Sequence, residues 1–204
     1  MKNIIVYDFD KTIYKKETSL SFLFFYIKKH PLSIFLILKS LIKISFLFNK
    51  FSLKNVKNIF FEFIKNNKNI DKDIKDFWQS QDKFFFPYFF EEIKENKKEA
   101  DYLVLISASP DFLLNKIYKK LGFDVLISTR YDKNYHIIGE NCKGVEKVNR
   151  LNEVFKEYKM LSFYSDSLSD LPLYDLSINK FYINKNGEKH KGIPKKNGLV
   201  DKWK

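Results

Sequence analysis

The chain has 204 residues, 45% of them hydrophobic and 18% aromatic, which is enough to bury one full core with a substantial insertion and excludes a disordered tail. The formal net charge of +12 raises nucleic acid as a partner, but Arg130 and Arg150 are the only arginines and no zinc-finger, RNP or arginine-rich pattern accompanies the lysines, so no nucleic acid is expected. Cys142 is the only cysteine, which excludes a disulfide framework and a cysteine-built zinc site and suits a cytoplasmic location, and the N-terminus reads as a strand, not as a secretory signal.

The first apolar run, NIIVY (3–7), reads as a buried strand and runs straight into DFDKT. Asp8 and Asp10 are spaced two apart, so in extended geometry they face the same way. Residues 15–98 are glycine-poor and rich in aromatics, which predicts a helical insertion. Within it, residues 19–27 form an apolar helix that breaks at His30-Pro31. LSIFLILKSLIKISFLF (32–48) follows as an amphipathic helix. Ser33, Lys39, Ser40 and Lys43 fall in a stripe about 120° wide, with Ser45 outside it, and the rest of the surface is apolar. Such a helix is short and polar for a membrane span but suits the membrane interface, with Lys28, Lys29, Lys50, Lys54 and Lys57 near anionic lipid. The alternative is that this face packs within the insertion.

Beyond the insertion, YLVLIS (102–107) reads as a strand ending at Ser107, with Ala108 and Ser109 after it. Residues 111–121 have helical character up to Gly122, and DVLIS (124–128) is the next strand. CKGVEK then places Lys143 and Lys147 at the start of a helix over 144–158, with Val148, Leu151, Val154 and Phe155 at helical spacing. LSFYS (161–165) is followed by Asp166, Ser167, Ser169 and Asp170, and KFYIN (180–184) is the last strand. Strands alternating with helices predict a parallel α/β sheet, whose ligands bind outside the carboxyl ends of the strands. The residues gathered there are four carboxylates, several hydroxyls and an ammonium. That set suits magnesium-assisted phosphoryl transfer: oxygen ligands for a hard cation, a nucleophile, and donors for phosphoryl oxygens.

DFDKT, Ser107 closing a strand, Lys147 and DSLSD, in this order, resemble the haloacid dehalogenase superfamily, in its branch that contains phosphoserine phosphatase (subfamily IB). The resemblance implies a Rossmann-like core with a parallel sheet (residues 1–14 and 99–204) and an inserted all-helical cap (15–98). It implies Asp8 as nucleophile and Asp10 as acid and base, with Mg²⁺ held by Asp8, the Asp10 carbonyl and Asp166, and Asp170 completing the acidic site. Ser107 and Lys147 would hold the phosphoryl group. Thr12 falls either with them or in a supporting turn. The family spacing selects Lys147 over Lys143, leaving Lys143 facing solvent. The acidic motif reads SDSLSD where the soluble phosphoserine phosphatases have Gly-Asp followed by Gly and Asn, which puts the substrate in doubt more than the chemistry.

The His-Pro-Leu break, the long apolar helix, CKGVEKV and YSDS are similar to the pattern of the phosphatidylglycerophosphatase C enzymes, which implies a phosphorylated lipid headgroup as substrate and a peripheral place on the cytoplasmic face of the membrane. Glu17 favours the alternative, a soluble small-metabolite phosphomonoester, because phosphoserine phosphatases carry a substrate-binding glutamate nine residues after the nucleophile. They also use a cap arginine, which this chain lacks. Glu17 is equally placed to be an acid at a helix N-terminus. A third reading is a non-catalytic membrane-associated protein on a degenerate fold.

Overall fold

The computed structural model describes residues 1–46 and 53–194. Strand β1 spans Lys2–Tyr7, and its Ile4, Ile5, Val6 and Tyr7 are wholly buried, as a strand covered on both faces requires. Between β1 and the next strand the chain forms helices α1 (Thr18–Lys29), α2 (Ile34–Ser45), α3 (Leu53–Phe60), α4 (Ile70–Gln79) and α5 (Pro87–Glu99). Strand β2 (Tyr102–Pro110), the short helix α6 (Asp111–Leu114) and strand β3 (Val125–Thr129) follow. Helix α7 (Val145–Val154), strand β4 (Tyr158–Ser165), helix α8 (Leu171–Leu176) and strands β5 (Ser177–Ile183) and β6 (Lys189–Lys191) come next and are the last among the described residues.

The six strands form one sheet in the order β3-β2-β1-β4-β5-β6, parallel except for the antiparallel edge strand β6. From β1 the chain builds outward through β2 and β3, then returns to the other side of β1 for β4 and β5. The strand order therefore reverses beside β1, which opens a crevice at the carboxyl ends of β1 and β4. Asp8 and Asp166 stand in the loops that leave those two ends.

One face of the sheet packs against the helical insertion in a single apolar cluster, in which Tyr7 and Phe9 meet Phe22, Phe77, Trp78 and Phe89. Tyr7 stacks on Tyr164 across β1 and β4, centroids 4.1 Å apart, and Asn96 of α5 donates to both phenol oxygens. Such an aromatic pair contributes roughly 0.5–1.5 kcal/mol beyond its buried area. On the opposite face Leu151 and Phe155 cover Ile4, Val6 and Val104.

The expected strands are present, while the helix expected over 111–121 is regular only over Asp111–Leu114 and continues to Gly122 as separate turns. Gly122 closes them at φ +96°, a conformation that side chains resist. Helix α7 stops at Val154 because Phe155 turns extended and buries its ring in the core ahead of β4. The break at His30-Pro31 is present: α1 ends at Lys29 and Pro31–Ser33 forms a 3₁₀ turn. Leu47, Phe48 and Lys50 of the expected amphipathic segment and its basic flank lie outside the described residues.

Helix α2 buries Ile37 and Ser40 and turns most of its large apolar side chains outward. Ser33 before it, with Ile37 and Ser40 within it, is buried, whereas Phe35 is 69% exposed and Leu38 48%. No helix among the described residues is long and apolar enough to cross a membrane.

Candidate active site

Asp8 leaves β1 with its N–H donated to the Tyr164 carbonyl (2.9 Å), so the crevice is tied to β4 at this point. Phe9 buries its ring against Tyr14 and Trp78, and this leaves Asp8 and Asp10 on the crevice side. Lys11 then adopts φ +61°, an unusual value for a residue with a side chain, and three backbone bonds to the Phe9 carbonyl close the turn.

The Asp8 carboxylate is nearly fully buried; Oδ1 accepts from Lys147 Nζ at 2.7 Å and Oδ2 from the Thr12 hydroxyl at 3.2 Å. Burial pushes it up to about 6 against the pull of the Lys147 ammonium. Lys147, on the first turn of α7, also reaches Asp170 Oδ2 at 2.8 Å. Burial works against its charge, but Asp170 and Asp8 hold the ammonium well above the usual lysine range. Asp170 Oδ2 also accepts from Ser165, while Asp170 Oδ1 is buried with no hydrogen-bond partner.

Asp10 faces two different elements. Its Oδ1 accepts from the backbone N–H (3.0 Å) and the hydroxyl of Thr18 at the start of α1, and its Oδ2 from Ser109 at 2.6 Å. Burial, and then the negative charge of Glu17, raise it to about 7. Asp166 is raised to about 8, by burial first and then by Asp8 and Asp170.

These groups line one cleft of about 230 Å³ that also takes in Glu17, Lys57, Ser107, Lys143 and Asn141. Thr12 is not among them. It is wholly buried below the cleft, where its hydroxyl donates to Asp8 and accepts from the Asp166 N–H (3.0 Å). Thr12 thus joins the two acidic loops, as the supporting alternative has it. Glu17 occupies the N-cap position of α1 without making a side-chain cap bond; its carboxylate pairs with Lys11 instead. Lys143 is exposed, as expected, and sits at the cleft rim.

Two groups escaped the sequence. Thr18 had no signal, because its tie to Asp10 exists only once α1 starts over the crevice. Lys57, in the basic flank expected near anionic lipid, points into the cleft from α3, with Nζ 2.8 Å from the Ala108 carbonyl and 2.7 Å from Asn141 Oδ1. Burial lowers its ammonium to about 8. Lys54 likewise turns to Glu140, at 3.3 Å. Lys57 thus reaches Asn141 and Lys54 reaches Glu140, both of the segment that leads into Cys142.

The oxygen-rich set of Asp8, Asp166 and Asp170, in which the Asp8 and Asp166 carboxyls are raised and one Asp170 oxygen is orphaned, fits a hard divalent cation. Among the described residues no three acidic, His or Cys side chains stand close enough to form a complete shell by themselves.

The architecture has close counterparts. A crystal structure of a protein of unknown function from Bordetella pertussis Tohama I superposes with a TM-score of 0.71 at 16% identity, covering 86% of each chain. A phosphoserine phosphohydrolase-like protein from Francisella tularensis gives 0.56 at 16% identity, covering 91% of this chain and 88% of its own. In sequence, the protein CicA of Caulobacter vibrioides is 33% identical over 87 residues, which is 39% of this chain and 39% of CicA. A histidinol-phosphatase of Neisseria meningitidis serogroup C is 29% identical over 122 residues, 50% of this chain and 54% of the relative. The chain thus matches about half or less of the length of these relatives. The model of the haloacid dehalogenase-like hydrolases matches residues 5–175, and with the crevice carboxylates on a sheet of this topology the chain belongs to that family.

Proposed function

We propose that this hydrolase cleaves phosphomonoesters through an aspartyl-phosphate on Asp8. The carrying observation is the pairing of a buried carboxylate, Asp8, held by Lys147, with a second one, Asp10, held by different partners in the same cleft. An Asp8 oxygen attacks phosphorus and the ester P–O bond breaks, while Asp10 gives its proton to the departing alkoxide oxygen. Asp10 then takes a proton from water as the water oxygen attacks phosphorus, which releases phosphate and restores the Asp8 carboxylate. A carboxyl raised to about 7 serves both directions near neutrality. Lys147 and Ser107 neutralise and bond the phosphoryl oxygens. Magnesium, held by Asp8, Asp166 and the Asp10 carbonyl with Asp170 behind them, would supply positive charge that lets nucleophile and phosphate meet. In this reading residues 1–14 and 99–204 are the catalytic core and residues 15–98 its cap.

For the substrate, the outward apolar face of α1 and α2 favours a phosphorylated lipid headgroup met at an anionic membrane surface: Phe24 and Phe35 are each about two-thirds exposed (68% and 69%). A second reading, a soluble phosphomonoester with another anionic group, rests on Lys57, a largely buried ammonium whose bonded partners are neutral oxygens. Phosphate release from an aryl phosphate, with Mg²⁺ and after chelation, tests the chemistry apart from both substrates. Metal-dependent release supports it, and no release under either condition refutes it.

A further inference from the structure

The catalytic cleft is small and lined almost wholly by charged and polar groups, so at about 230 Å³ it accommodates little beyond a phosphoryl group and the first atoms of its ester. Beside it lies a larger groove of about 960 Å³. Leu20, Phe24 and Phe25 of α1 give this groove its apolar wall, and Ser80 and Gln81 after α4 close the other side. Glu17 lines both spaces, so the groove begins where the cleft ends. From Glu17 to Lys28 it follows α1 for about 16 Å, at 1.5 Å per residue.

The charge along this path is segregated. Lys29 at the far end is paired with Asp73 and Asp76 while Lys28 there is exposed, and at the near end the Lys16 ammonium lies over the Phe84 ring. Leu20 and Phe24 are 48% and 68% exposed, an uncovered apolar strip on a helix whose opposite side, through Phe22 and Tyr26, is fully packed. A ligand matching both spaces has one dianionic end and one long apolar arm.

We propose that the α1 groove receives the alkyl chain of an amphiphilic phosphomonoester whose phosphate occupies the Asp8 cleft. This deepens the phosphatase reading and rests on it for the position of the phosphate. The chain enters past Glu17, which remains bonded to Lys11, and lies along Leu20 and Phe24, where it needs no hydrogen bonds. Chain length is then a specificity determinant in a single protein molecule, without any membrane.

The test is calorimetric binding of n-alkylphosphonates from ethyl to decyl, which are not hydrolysed, each kept below its aggregation concentration. A fully buried methylene is worth about fourfold in affinity, and a half-open groove should give about twofold per methylene. In L20K/F24K the dependence on chain length should vanish. F24A, which only shortens an exposed side chain, should weaken it, and thermal melts of both variants confirm folding. Affinity independent of chain length in the native protein, an unchanged slope in L20K/F24K, or a slope seen only above the aggregation concentration would each overturn the proposal. Hydrolysis of phenyl phosphate is measured in parallel: its absence refutes the phosphatase reading, whereas its presence with a flat binding series refutes the groove alone.

Discussion

The Lys147 ammonium stands 2.7 Å from an Asp8 oxygen, and both side chains are almost completely buried. The same ammonium holds Asp170, so removing it strands two buried carboxylates beside Asp166. Breaking such a pair costs about 3–5 kcal/mol. Lys147→Met should therefore abolish activity and also lower the melting temperature at pH 7.5. The thermal loss should shrink at pH 5, where Asp8 and the neighbouring Asp166, raised to about 6 and about 8, are mostly protonated and the cluster needs less charge compensation. A loss of equal size at both pH values contradicts this account.

Stability of the metal-free protein should fall with rising pH. Asp8, Asp10 and Asp166 are raised to about 6, 7 and 8 in the fold, above the ordinary carboxylate value. Between about pH 4 and pH 8 the folded state therefore binds more protons than the unfolded one, and the linkage makes stability decrease as these protons leave. Melting after chelation should drop by at least about 3 °C from pH 5 to pH 8.5. Adding Mg²⁺ should restore most of it at pH 8.5 and little at pH 5. Asp166→Asn should reduce both the pH slope and the response to Mg²⁺.

Lys57→Met tests the soluble-metabolite reading. If the ammonium binds a second anionic group, KM for a phosphomonoester that carries a carboxylate should rise about tenfold or more, with little change for an aryl phosphate. The native enzyme should lose the same advantage above about pH 8, where burial lets this lysine lose its proton. Equal KM changes for both substrates count against a specific anion contact.

Phe35 and Leu38 test the membrane reading. They are 69% and 48% exposed, so replacing both with lysine should leave the melting temperature within about 2 °C. Co-sedimentation with vesicles containing anionic phospholipid should be lost, together with release of phosphate from phosphatidylglycerophosphate in those vesicles. A native protein that ignores the vesicles, or a double variant that unfolds, favours the soluble substrate.

What the sequence disclosed follows from strand geometry. Asp8, Asp10, Ser107, Asp166 and Asp170 lie at or just beyond the ends of apolar runs, and a parallel sheet brings such ends together whatever the connections do. Lys147 was legible near the start of a helix, but only the family spacing separated it from Lys143. Thr18 and Lys57 were not, because each depends on where a helix of the insertion lands, which local patterning does not specify. Periodicity revealed that α2 is two-sided but not which side faces inward: Ser33, Ile37 and Ser40 are buried while the larger apolar residues stand outside. Strand β6, KHK, has no apolar alternation and forms only because β5 offers it an edge.

The proposed chemistry turns on a covalent bond between phosphorus and an Asp8 oxygen. An acid-quenched single turnover of an aryl phosphate, followed by peptide mass spectrometry, measures it directly. One phosphoryl group should appear on the peptide containing Asp8 and none in Asp8→Asn, whose turnover should fall by about 10⁴ or more with its fold intact. Asp10→Asn should form and lose that adduct slowly, since one residue serves as acid and then as base. Phosphorylation at another residue, or full turnover by a correctly folded Asp8→Asn protein, contradicts it.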